Sequence, residues 1–197
     1  MKQKEKNLKN KTNFIAEQTG AFLSNNIAEA TNEAVSGMNL LRSESARMAK
    51  VLTDKKQGNL FEIIERTKFN VDAASKGVDV RAVTTAELGD PHAAADILIK
   101  KGGKTVREAQ AKSSSKAADA LHEMNQEKYH GMQKLFNSDK VDRAKELAKK
   151  RADTGSIYSK EYQDTYKNAT GELKHGKVRS GGTTHDETCV LLSHKNS

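Results

Sequence analysis

95-ADILIKKGGKTVREAQAK-112 reads as a β-hairpin. Ile97 and Ile99 alternate with Asp96, Leu98 and Lys100, as in a strand with one buried face. The segment 101-KGGK-104 supplies the glycines of a tight turn, and 105-TVREAQAK-112 is the returning strand. On that second strand Glu108, Gln110 and Lys112 occupy every second position, so they project together from one face. The turn folds the two strands against each other, which brings Asp96 toward the Gln110–Lys112 end.

On the N-terminal side, 87-ELGDPHAA-94 contains the only proline and is a loop, and 78-VDVRAVTT-85 is a further strand. Before it, Leu60, Phe61, Ile63, Ile64 and Thr67 have helical spacing, and the helix runs to about Lys76, where Gly77 stops it. Lys55 to Gly58 reads as a linker. From Phe14 to about Thr53, Leu23, Ile27, Ala30, Ala34, Met38 and Leu41 recur at steps of three and four. That spacing predicts one long helix, or two with a break at Gly37. Residues 1–12 form a polar tail expected to be mobile.

On the C-terminal side, a helix is expected from Ser113 to about Met124, capped by Ser113, Ser114 or Ser115. Residues 132-MQKLF-136 suit a short strand, and 138-SDKVDRAKELAKKRA-152 an amphipathic helix. A last polar helix is expected within 156–173. Beyond His175, Gly, Ser, Thr and His dominate, which points to disorder. The chain thus divides into a helical N-terminal extension (1–55), an α/β domain (56–173) and a flexible tail (174–197).

With 197 residues the chain can bury a sizeable core, built mainly from Ala, Val, Ile and Leu because aromatics are only 5%. Lys and Arg outnumber Asp and Glu by 34 to 26, giving a net charge of +8. The excess suits a polyanion, most simply nucleic acid, although a basic surface without a partner is an alternative. The scarcity of aromatics argues against base stacking. A single cysteine, Cys189, excludes an internal disulfide and a Cys-based zinc site and points to a reducing compartment. No apolar run is long enough for a membrane span. A cytoplasmic protein is expected, with export by a signal-free route as the alternative.

An acid, an amide oxygen and a lysine converging at strand ends can hold a hard cation and act on a phosphodiester. Here the chain resembles a known family. An acid opening a strand, a hairpin, and then (Asp/Glu)-x-Lys is the signature of the PD-(D/E)XK nucleases, and 110-QAK-112 is similar to the Gln-x-Lys of their Mrr-like restriction endonuclease branch. The Gly-x-x-Phe-Glu that opens the preceding helix in that branch has a counterpart in 58-GNLFE-62. The resemblance covers about 58–112. It implies a restriction-endonuclease-like α/β core, a small mixed sheet flanked by helices, that cuts nucleic acid with Mg2+ or Mn2+. It further implies Glu62 and Asp96 as metal ligands, Gln110 and the Ala111 carbonyl completing the shell, and Lys112 positioning the attacking water. Gln110 brings no negative charge, so the cation depends on Glu62, with Glu108 of the returning strand as an additional acid and Glu65 as a competing candidate for the helical acid.

Lys100, Lys101 and Lys104, with Lys145, Lys149, Lys150 and Arg151, form the expected approach to a DNA backbone. A homodimer is expected by analogy with nucleases that cut both strands, and residues 14–53 are a candidate docking segment for a partner protein. The alternative is a catalytically inactive nucleic-acid-binding or assembly module of phage, mobile-element or toxin origin. Other patterns fail. The segment 102-GGKT-105 has Leu98 where a phosphate-binding loop needs its first glycine. His92 and the His185/Cys189 pair lack the further ligands that zinc requires.

Overall fold

The computed structural model describes residues 2–48 and 53–193. Among them are six α-helices and a five-stranded mixed sheet of order β1-β2-β3-β4-β5, with a separate two-stranded hairpin. The strands are β1 (Arg81–Thr84), β2 (Ile97–Lys101), β3 (Lys104–Lys112), β4 (Gln133–Phe136) and β5 (Ala169–Thr170). The first three pair antiparallel, while β3/β4 and β4/β5 are parallel. A parallel step requires a crossover. The helix α3 (Ala117–Met124) provides it between β3 and β4, and α4 (Val141–Ala152) with α5 (Ser159–Asn168) between β4 and β5.

The alternation in β2 decides which face is which. Ile97 and Ile99 are fully buried with Ala109, Ala111 and Leu135 against Phe61, Phe69 and Ala73 of α2 (Thr53–Ser75). On the opposite face Phe136 packs with Ala117, Ala120, Met124, Ala144 and Ala169 beneath α3 and α4. The sheet is therefore sandwiched between helices. At the hairpin turn Lys101 pairs with Lys104, and Gly102 and Gly103 both take positive φ (53° and 79°), the conformation a two-residue turn needs.

The N-terminal helix α1 (Lys2–Arg47) is continuous. Of the two expected arrangements, the single long helix is the one found, without a break at Gly37. Gly37 is buried where α1 crosses α2, and a Cβ there would overlap the Thr67 side chain, coming within 2.7 Å of its Cβ. The glycine is a close-approach residue. Polar residues 2–12, expected as a mobile tail, belong to the same helix. The linker expected at 55–58 lies inside the first turns of α2, and residues 49–52, at the junction of the two helices, fall outside the described residues. The serine cap expected for α3 is also absent: Lys116 stands at its N-cap with no side-chain cap bond, and the Ser114 hydroxyl instead accepts from the Lys116 N–H.

The expected flexible tail folds instead. β6 (Lys174–His175) and β7 (Val178–Arg179) form a hairpin, followed by α6 (His185–Ser193); residues 194–197 fall outside the described residues. Leu173 and Val178 are fully buried in the core against α2. The polar composition of this segment serves internal hydrogen bonding, as Ser180 and Thr183 bond to the buried Glu65. Among the described residues no helix is long and apolar enough to cross a membrane.

Candidate active site

Asp96 is fixed by its backbone before its side chain is considered. Its N–H donates to the Ala109 carbonyl (2.9 Å) and its carbonyl accepts from Thr85 N–H (2.9 Å), so it is held at the mouth of β2 between β1 and β3. Its Oδ2 then accepts the N–H of Ala111 at 2.8 Å. In an extended strand a residue directs its N–H and C=O to the same edge, so the Ala111 carbonyl also faces the Asp96 side, just past the end of β2.

Glu62 reaches the same place from α2. Leu60 and Phe61 beside it are buried in the core, which fixes the helix rotation. Burial raises the Glu62 carboxyl well above its ordinary range, the Asp96 and Glu44 carboxylates raise it further, and the Lys112 ammonium opposes them. Asp96 is pushed up to about 6, chiefly by burial, against the pull of the Ala111 N–H, Lys112 and Lys128. Residues 34 and 50 positions apart from Glu62 in the chain thus share one electrostatic environment.

Lys112 closes β3 and forms an ion pair with Glu123 of α3. Gln110, half-buried and two residues earlier, lies on the same face of the strand, opposite Lys134 of β4. Lys134 itself is fully committed elsewhere, to Asp164 at 2.5 Å and Thr165 at 2.9 Å.

Glu65 does not join this group. Its Oε1 accepts from Thr183 Oγ1 (2.6 Å) and its Oε2 from the Leu173 N–H (3.1 Å) and the Ser180 hydroxyl. It is fully buried and ties α2 to the folded C-terminal segment. Of the two helical acids only Glu62 stands with Asp96. Glu108 is exposed opposite Leu98 and lines a separate cavity of about 290 Å³ with Thr85, Asp90 and Met132.

The basic residues are likewise dispersed. Lys100, Lys101 and Lys104 occupy the hairpin tip, eight residues along β3 from Lys112, a span of roughly 26 Å. On α4, Lys149 pairs with Asp153 (3.0 Å), Arg151 lies over the Tyr162 ring (5.3 Å), Lys145 is half-buried and Lys150 is exposed.

Four residues in or beside this site carry no sequence signal read above. Glu44 and Arg47 of α1 and Asn59 of α2 line a cavity of about 360 Å³ together with Glu62. Glu123 holds Lys112. Only the Glu44/Arg47 spacing, three apart on a helix, is a local hint that these two pair.

No cluster of three or more His, Cys, Asp and Glu side chains that could hold a metal occurs among the described residues. Two carboxylates, Glu62 and Asp96, and the Ala111 carbonyl come together here, while Gln110 sits opposite Lys134 of β4. These hard oxygens suit magnesium or manganese, and two desolvated, mutually repelling carboxylates are what a divalent cation relieves.

Compared with known proteins, the sequence matches no family model. Neither the curated proteins nor the solved structures give a significant match.

Proposed function

We propose that the chain is a magnesium-dependent nuclease of restriction-endonuclease-like architecture that hydrolyses DNA phosphodiester bonds at the mouth of β2 and β3. One observation carries this reading: the Ala111 N–H holds the Asp96 carboxylate at 2.8 Å next to Lys112 of β3, and Glu62 of α2 lies within the electrostatic reach of both. Support also comes from the small mixed sheet between helices and from the order α2, hairpin, Gln-x-Lys, which the resemblance implies.

Glu62, Asp96, the Gln110 amide oxygen and the Ala111 carbonyl would hold the ion, which supplies Lewis-acid polarisation of a phosphoryl oxygen. The remaining work falls to the chain itself. The Ala111 N–H fixes the Asp96 rotamer, so the carboxylate is preorganised. Lys112 orients the attacking water and offsets negative charge developing on the phosphoryl oxygens. Glu123 steadies the Lys112 side chain at the rim. Purified protein with magnesium is expected to nick or linearise plasmid DNA, and Asp96→Ala and Lys112→Ala each to abolish this. Undiminished cleavage by the double variant would overturn the assignment.

A second reading, an inactive nucleic-acid-binding or assembly module, is favoured because the described residues contain no group of three or more His, Cys, Asp and Glu side chains that could hold a metal. Phe22, Leu23 and Ile27 of α1 are more than half exposed, which leaves that helix an outer apolar stripe for a partner or a second copy. Calorimetric titration with magnesium separates the readings: the inactive module binds DNA without binding the ion.

A further inference from the structure

The last turn of α1 is built into the wall of the cavity over Glu62. Asn59 of α2, one turn before Ile63, donates from Nδ2 to Glu44 Oε1 (3.0 Å) and contacts Met48 Sδ (3.3 Å). Glu44 is mostly covered, with 15% of its side chain exposed. It receives two hydrogen bonds from Arg47, from Nε at 2.8 Å and from Nη2 at 2.5 Å. A guanidinium held along one edge by a carboxylate keeps its other edge free for a second acceptor.

The Arg47 side chain is 67% exposed, and its bonds to Glu44 use Nε and Nη2. Among the described residues lining the cavity Arg47 is also the only cation, and their other charged members are Glu44, Glu62 and Glu87. Glu87 is already paired with Arg66 at 3.0 Å, so among the described lining residues Arg47 is the cation that an anionic chain approaching Glu62 from this side meets. An exposed Arg–Glu pair contributes little to folding. A pair anchored by a third side chain at the rim of a cavity is better explained by what the arginine presents.

We propose that Arg47, oriented by Glu44 and Asn59, is a phosphate-contacting residue for nucleic acid, and that α1 is thereby part of the substrate cleft. The inference rests on the nucleic-acid reading above but not on catalysis. The ligand is a backbone phosphate flanking the one at Asp96, gripped by the free edge of the guanidinium.

The test uses the full chain in EDTA and a fluorescein-labelled DNA duplex, with anisotropy measured across roughly 50–200 mM salt. Arg47→Ala is expected to weaken binding about 5–10-fold and to lower the slope of log K against log salt by about 0.9. Arg47→Lys keeps the slope and loses part of the affinity, because a lysine is a point charge without the fork. Glu44→Gln loses affinity at unchanged charge on Arg47, since the fork is no longer aimed. Arg42→Ala, the same charge change on an exposed site of the same helix, serves as control. Equal slopes and affinities for Arg47→Ala and Arg42→Ala overturn the proposal, as does a wild-type chain with no salt-dependent DNA binding. A parallel cleavage assay with magnesium keeps the two readings apart. An Arg47 effect without any cleavage removes the nuclease and leaves the contact; cleavage with no Arg47 effect on binding or KM removes only the contact.

Discussion

The carboxylate of Asp96 accepts the backbone N–H of Ala111 at 2.8 Å, which locks the start of β2 to the end of β3 at the place where Lys112 leaves the sheet. Burial nevertheless outweighs this hydrogen bond, and the Asp96 carboxyl is pushed up to about 6. The group is held in place at an electrostatic cost.

That cost has a pH signature. An acid whose folded pKa lies above its unfolded value binds protons more readily when folded, so its penalty is absent below the unfolded pKa, near 4, and complete above about 6. In EDTA the stability from this group should therefore increase as pH falls from about 7 toward 4. Two pKa units correspond to at most roughly 3 kcal/mol. Denaturant melts at several pH values measure it: Asp96→Asn should flatten the dependence across this window, and an unchanged profile in that variant would contradict the assigned environment.

Glu62 and Glu65 should separate cleanly. Glu62→Gln removes a desolvated carboxyl that Asp96 and Glu44 repel, and is expected to raise stability by about 1–2 kcal/mol while abolishing cleavage. Glu65→Ala strands the Ser180 and Thr183 hydroxyl donors, while the Leu173 N–H keeps the Ser180 hydroxyl as its acceptor at 2.9 Å, costing about 3 kcal/mol, or roughly 5–10 °C in Tm. Its cleavage rate per folded molecule should be unchanged. Calorimetric melts and plasmid assays on both variants check the assignment, and loss of chemistry in Glu65→Ala at full folding would reverse it.

Two glycines of α1 should respond in opposite directions to alanine. Gly37→Ala forces a methyl into Thr67 at the α1/α2 crossing and should destabilise by about 1–3 kcal/mol. Gly20→Ala meets nothing within 4 Å and should stabilise by up to about 1 kcal/mol through helix propensity. Because α1 carries Glu44 and Arg47, Gly37→Ala should also weaken DNA binding, whereas Gly20→Ala should not. Urea denaturation of both variants, with the anisotropy measurement, tests this.

The sheet was legible because its signals are local. Alternating Ile97 and Ile99, the Gly102–Gly103 turn and the spacing of Gln110 and Lys112 lie within one hairpin and follow from strand geometry alone. The helical acid was only half legible, since Glu62 and Glu65 lie one turn apart and both suit a helix facing a sheet. What separates them is Ser180 and Thr183, 115 and 118 residues away, to which no local pattern points. The same long-range bonding explains why a Gly-, Ser- and Thr-rich segment that reads as disorder folds: its hydroxyls answer a buried carboxylate, and Leu173 and Val178 fill the core beside it. Glu44 and Arg47 were hidden for a related reason. Nothing in a thin, Ala-rich helical stripe says which turn will meet Asn59.

The central claim is that Glu62 and Asp96 share one divalent ion. A crystal soaked in manganese and measured for anomalous scattering addresses it directly. A peak within about 2.0–2.4 Å of an oxygen of both carboxylates, with the Ala111 carbonyl in the same shell, is the expected result. Manganese bound elsewhere, or no peak between the two acids under conditions in which the protein binds DNA, would contradict the account.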